Sequence, residues 1–172
     1  MKTFAVSVFA IAGLISMSCS HRAMVQSSIS ISKPVEKESF IAKPFGYEPT
    51  VKNFKANLPS YKLQVYTMKN IHNHSIIDTI YKFHRRKDEL LIYKNVNNIE
   101  MFFAGRISSD KIKLKNGVRV GMSRDEFYKS FTNLRPKAED TVRISSKRAP
   151  NSFNFIFKGN KLIMIKIDNY ID

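Results

Sequence analysis

Ser152-Phe153-Asn154-Phe155-Ile156-Phe157-Lys158 runs into Gly159-Asn160 and continues as Lys161-Leu162-Ile163-Met164-Ile165-Lys166-Ile167. Two arms of β-formers joined by a Gly-Asn link read as a β-hairpin. Side chains alternate between the faces of a strand. Phe153, Phe155 and Phe157 therefore line one face of the first arm, and Ile163, Ile165 and Ile167 one face of the second. Such a face must be covered, so the hairpin implies a sheet with one solvated side and helices on the other.

Outward from this hairpin, further β-rich segments follow the same logic. Thr141 to Ser145, Leu63 to Met68, Glu89 to Lys94 and Ile99 to Ile107 read as strands. In Ile77 to Phe83, positions 77, 79, 81 and 83 form a face rich in β-formers. Arg85-Arg86-Lys87-Asp88 and Asn95 to Asn98 read as turns between them. Ile112 to Val120 carries Asn116-Gly117 at its middle, the pair that favours a type I′ turn, and predicts another hairpin. Two short helices are expected. Thr50 caps one, with Val51, Phe54 and Leu58 at helical spacing before Pro59. Ser123 caps the other, with Glu126 placed to complete a capping box and Phe127, Tyr128 and Phe131 behind it. Gly121 is placed where the chain passes tightly from strand to helix, a position for a residue without a Cβ. Each helix precedes a run of antiparallel strands, and the Thr50–Phe54 and Ser123–Phe127 spacings match, too short a likeness to establish a duplication. The fold class expected is α+β, an antiparallel β-sheet meander packed with one or two short helices.

The other end of the chain carries the address. Lys2, an apolar run from Phe4 to Ile15 and the small-residue exit Ser16-Met17-Ser18 have the layout of an export signal. The apolar run is well short of the roughly 20 residues that span a bilayer. Cys19, the one cysteine, follows directly. Its position is that of a lipidated cysteine, and Ile15 to Cys19 resembles the loose lipobox of Bacteroidetes lipoproteins, departing from the stricter pattern at Ser16 and Met17. The division expected is a signal peptide over 1–18, a flexible tether over 19–47 punctuated by Pro34 and Pro44, and one domain over 48–172. The alternation of Ser27, Ser28, Ser30 and Ser32 with Ile29 and Ile31 leaves open a short edge strand within that tether.

The 172 residues hold 29 Lys and Arg against 14 Asp and Glu, and removal of residues 1–18 takes away Lys2 alone among the charged residues. Such a balance asks for an anionic partner. Export removes nucleic acid from reach, which leaves anionic lipid or an acidic envelope protein, or a Lys-rich surface serving solubility. Basic groups recur at Arg85-Arg86-Lys87, at Arg135 with Lys137, and at Lys147-Arg148, all in expected turns that a sheet can gather at one end. A lipidated Cys19 leaves no cysteine for a disulfide or for thiol chemistry.

Asn116-Gly117-Val118-Arg119-Val120-Gly121-Met122-Ser123-Arg124-Asp125-Glu126-Phe127 resembles the glycine, hydrophobic, Ser-capped helix start of the SmpA/BamE-like and β-lactamase-inhibitor-like group of small periplasmic lipoproteins and inhibitors. The terminal hairpin fits the sheet of that group. The resemblance covers about residues 110–170 and implies a helix-plus-sheet fold and a binding role, with no catalytic residue to carry over. The expected role is a lipid-anchored periplasmic accessory of envelope assembly or maintenance, on the outer membrane, docking on a protein or anionic lipid. An inhibitor or immunity protein is the alternative of the same class.

From a different class comes a small metal-dependent hydrolase. His72 and His74 alternate, and with Asp78 they make the one cluster of metal-ligand character. Asn70 and Asn73 beside them mark a turn instead, where exposed histidines are ordinary. His84 stands beside Arg85, Arg86 and Lys87, which disfavours a cation there. No Gly-x-Ser-x-Gly elbow and no phosphate-binding Gly-x-x-x-x-Gly-Lys loop is present. Neither enzyme activity nor a cofactor is expected.

Overall fold

A computed structural model describes residues 33–70, 72–136, 138–146 and 151–169. Cys19, Lys137, Lys147 and Arg148 lie outside the described residues, as do the export segment and the Ser/Ile alternation. The strands are β1 (Lys62–Lys69), β2 (Ile77–Arg85), β3 (Asp88–Lys94), β4 (Glu100–Ile107), β5 (Thr141–Ser145), β6 (Asn151–Lys158) and β7 (Lys161–Asn169). They form one sheet in the order β1-β2-β3-β4-β7-β6-β5, with every neighbouring pair antiparallel. The chain runs by hairpins from one edge to the middle, leaves the sheet after β4, and returns from the other edge to the middle. The two runs meet where Ala104 to Ile107 pair with Asp168 to Ile165.

One face of the sheet is buried under α1 (Lys37–Ala42), α2 (Val51–Asn57), α3 (Arg124–Lys129) and the connection between β4 and α3. Phe153, Phe155 and Phe157 are all buried there, as the hairpin pattern predicts. Phe54 of α2 packs edge-on against Phe83 (5.4 Å) and Phe45 (4.9 Å) beneath the first run. Phe127 of α3 meets Phe155 at 4.7 Å and Phe157 at 5.3 Å beneath the second. Both expected caps form. Thr50 accepts from the Asn53 amide, while the Ser123 hydroxyl and the Glu126 carboxylate each accept from the other's backbone N–H.

Three expectations are corrected. First, the tether placed over 19–47 does not extend to 47: Val35, Phe40, Ile41 and Phe45 are core residues. Phe40 contacts Phe131 at 5.0 Å and Phe153 at 5.2 Å, so α1 covers the second run of strands although it precedes the first in sequence. A six-residue helix is too short to show a period, which hid it among Lys and Glu.

Second, Ile112 to Val120 is not a strand hairpin. The Asn116-Gly117 turn forms, with φ of 59 and 74, and the Leu114 amide bonds the Val118 carbonyl at 2.8 Å. Beyond that the arms part, because Ile112, Leu114 and Val118 are each buried in the core. Lys115 N donates to Pro44 O at 2.6 Å, and Asn116 Nδ2 to Lys33 O at 2.8 Å, so the turn is tied to the α1 segment.

Third, Ile163 does not share a buried face with Ile165 and Ile167. Ile156 pairs with Met164 but Phe157 with Leu162, so Ile163 is the extra residue of a bulge and is 41% exposed. Leu162 takes the buried place, and its backbone bonds both Gly121 (2.7 Å) and Met122 (3.0 Å). Nothing lies within 4 Å of a Cβ built on Gly121; its requirement is a φ of 92, which L residues rarely adopt.

Close approach is the constraint at Gly105 in β4. A Cβ there would meet Leu90 Cδ2 at 3.0 Å, Phe102 Cζ at 3.1 Å and Ile167 Cδ1 at 3.4 Å. Gly105→Ala should therefore overpack the junction of the two runs and cost about 1–3 kcal/mol. Urea denaturation reads this as a lower midpoint at unchanged slope. An unmoved midpoint would show that the neighbours yield freely.

Candidate functional site

Among the described residues no helix lies on the sheet's other face, and the register shows what that face presents. Leu90 and Ile92 of β3 point into the core, so Glu89, Leu91 and Tyr93 point outward. Cross-strand pairing then aligns His84, Glu89, Arg106, Lys166, Asn154 and Arg143 in one row across six strands. Lys82 lies one position away and ion-pairs with Glu89. Arg106, Lys166 and Arg143 have no carboxylate partner among the described residues.

Along the same face, toward the far end of β1 to β4, the row Tyr66, Ile80, Tyr93 and Met101 is apolar. Tyr66 is 48% exposed and Met101 39%, with Met68 beside them at the edge. Asp78, almost fully buried, accepts from Asn70 Nδ2 at 2.7 Å, and its Oδ1 has no hydrogen-bond partner among the described residues. Burial, and then the neighbouring Asp78, push the Tyr93 hydroxyl above its ordinary range.

The structure does not gather His72, His74 and Asp78 into a site. His72 and His74 are exposed on the β1–β2 turn, which Asn70 and Asn73 build by accepting from the His72, Asn73 and Ser75 amides. Among the described residues no group of three His, Cys, Asp or Glu is disposed to hold a metal ion.

Arg85, Arg86 and Lys87 do occupy a turn, the β2–β3 hairpin, at one end of the sheet. Arg135 is exposed in the segment leading to β5, which starts at that same end. The other members of the basic groups, Lys137, Lys147 and Arg148, lie outside the described residues. A cavity of 590 Å³ opens between the basic turn and the sheet face, bounded by Gln64, Lys82, His84, Arg86 and Arg106. His84 Nε2 is buried beside it without a hydrogen-bond partner among the described residues.

The turn is held from beneath by Asp88. Its carboxylate is 2% exposed and accepts from Tyr61 Oη at 2.6 Å, from the amides of Ser108 (2.6 Å) and Ser109 (3.0 Å), and from Ser109 Oγ. Burial, followed by this bond, pushes the Tyr61 hydroxyl far above its ordinary range. Asp88 thus ties the residue before β1, the start of β3 and the start of the β4–α3 connection to one point. Its charge is spent inward, and it forms no salt bridge with Arg85, Arg86 or Lys87.

The row from His84 to Arg143 was missed in sequence because its members come from strands separated by tens of residues. The β4–β7 pairing joins the two halves of the row, and no local motif signals that pairing. No family model matches the sequence, and neither the curated proteins nor the solved structures include a match to it.

Proposed function

We propose that this chain is a non-catalytic binding module of the bacterial envelope, an α+β meander anchored through lipid on Cys19 that docks the open sheet face on an acidic protein. The observation that carries this reading is the row containing Arg106, Lys166 and Arg143, three cations with no carboxylate partner among the described residues, on the same face as an exposed apolar patch. Interfaces combine such parts: aromatic and Met side chains give the contact, and complementary charge gives specificity and association rate. The export layout before Cys19 and the resemblance at Asn116 to Phe127 support the placement in the envelope. Against a hydrolase reading on His72, His74 and Asp78, Asp78 is buried and bonded by Asn70 while His72 and His74 face solvent on a turn.

Two measurements test the reading. Cys19→Ala should move the protein from the membrane to the soluble periplasmic fraction, since each buried methylene of an acyl chain contributes about 0.8 kcal/mol of membrane affinity. The soluble Cys19→Ala protein, mixed with solubilised membranes of its own cells, should co-migrate with a larger species on size exclusion. Arg106→Glu with Lys166→Glu should abolish that shift. Equal shifts for both proteins, or none for the first, would remove the open face from the account.

A further inference from the structure

We propose that a second hollow, on the connection side of the β2–β3 turn, is a binding site for phosphate groups carried as monoesters. It opens on the other side of the turn from the open sheet face, and Arg86 borders the hollows on both sides. The hollow measures 480 Å³ and is bounded by Arg85, Arg86 and Lys87 on one side and by Ser108, Ser109 and Lys111 on the other. That volume lies within the range of small-ligand sites.

Three observations converge on an anion. The first is charge. Four cations border the hollow, and the two carboxylates present do not neutralise them. Asp88 is buried and engaged by its four donors, while exposed Asp110 reaches only Lys111, at 3.8 Å. The second is a waiting donor. Ser108 is among the residues that border the hollow, and its Oγ, buried just behind that lining, has no hydrogen-bond partner among the described residues. Buried hydroxyls are normally satisfied, and a phosphate oxygen would satisfy this one.

The third is the backbone. Arg86 holds a φ of 55, a conformation that favours Gly, Asn or Asp and that a long side chain adopts at a cost in stability. A guanidinium kept at that position has a use other than making the turn. Arg presents a planar fork of donors that matches phosphate oxygens in pairs, and Lys87 and Lys111 add point charges. The monoester is favoured over the diester because a dianion answers this excess of positive charge better than a monoanion. Asp88 takes the Ser108 and Ser109 amides and the Ser109 hydroxyl, which fixes this backbone relative to the basic turn before a ligand arrives.

The test uses the chain with Cys19→Ala, so that no acyl group contributes, titrated with inorganic phosphate at constant ionic strength. Amide resonances of Ser108, Ser109 and Lys111 should shift saturably. Arg86→Asn, which suits the positive φ but lacks the charge, should bind phosphate at least tenfold more weakly while melting at the same or a higher temperature. Ser108→Ala, which keeps its amide on Asp88, should also weaken binding and serves if Arg86→Asn fails to fold. Vesicles of phosphatidylcholine with phosphatidic acid or with phosphatidylglycerol then separate the sources. Tighter binding to the phosphatidic acid vesicles than to free phosphate assigns a lipid headgroup. Binding to free phosphate with no gain on vesicles assigns a soluble phosphate ester. Absence of saturable phosphate binding, wild-type binding by both variants, or equal binding to both vesicle types without binding to free phosphate would overturn the proposal.

Discussion

Phe127→Ala lowers stability by about 3–5 kcal/mol, and Ser123→Ala by about 1 kcal/mol. Phe127 is fully buried and its ring meets Tyr128, Phe131, Phe155 and Phe157. Truncation leaves a cavity under the second run of strands, which α1 also covers through Phe40, so little can collapse into it. Ser123→Ala removes one of the two reciprocal bonds of the cap and leaves the other. The same cap predicts a pH dependence. The backbone N–H of Ser123, and then its hydroxyl, hold the Glu126 carboxylate below the ordinary 4.5. A depressed carboxylate stabilises the fold fully above that ordinary value and loses the contribution as pH falls through the lower, folded value. Guanidinium melts of both variants at neutral pH decide the ranking. If Phe127→Ala is no worse than Ser123→Ala, α3 does not pack on the sheet and the layer arrangement fails.

Asp88→Ala is expected to cost about 3–5 kcal/mol, in the range found when one partner of a buried charged network is removed. The substitution takes the acceptor from the Tyr61 hydroxyl and from the Ser108 and Ser109 amides at a position that is 2% exposed. Asp88→Asn keeps an oxygen for the two amides, and the hydroxyls can turn to accept from its NH₂, so its cost should be about 1–2 kcal/mol. Hydrogen exchange distinguishes this from a general loosening: the Ser108 and Ser109 amides should lose protection first in both variants. A cost below about 1 kcal/mol for Asp88→Ala would mean that water replaces the carboxylate, and the turn would then not be rigidly anchored.

What the sequence made legible follows interaction range. The Gly159-Asn160 hairpin, the Thr50 and Ser123 caps and the five strand segments outside the connection are local, and their residues stand within a few positions of one another. The Asn116-Gly117 turn was legible too, but its arms were not. Ile112, Leu114 and Val118 satisfy a core made by distant strands, and that burial outweighs pairing with each other. Val35, Phe40 and Phe45 were lost among charged residues because α1 is stabilised by Phe131 and Phe153, nearly a hundred residues on. The same limit hid the candidate site. Arg85, Arg86 and Lys87 are consecutive and were found, whereas Arg106, Lys166 and Arg143 become neighbours only through the sheet order. Asp88 was read as a turn residue, since nothing near it in sequence announces Tyr61 or Ser109 as partners.

The open sheet face is the centre of the functional account, and crosslinking in living cells tests it most directly. A photoreactive amino acid is placed at Tyr93 or at Lys166 on that face, and at Lys52 or Lys55 on the exposed side of α2. Illumination should give one adduct of defined mass from Tyr93 and Lys166, lost when Arg106→Glu is added, and none from Lys52 or Lys55. Adducts from Lys52 or Lys55 alone, or adducts from Tyr93 and Lys166 that persist with Arg106→Glu, would contradict it.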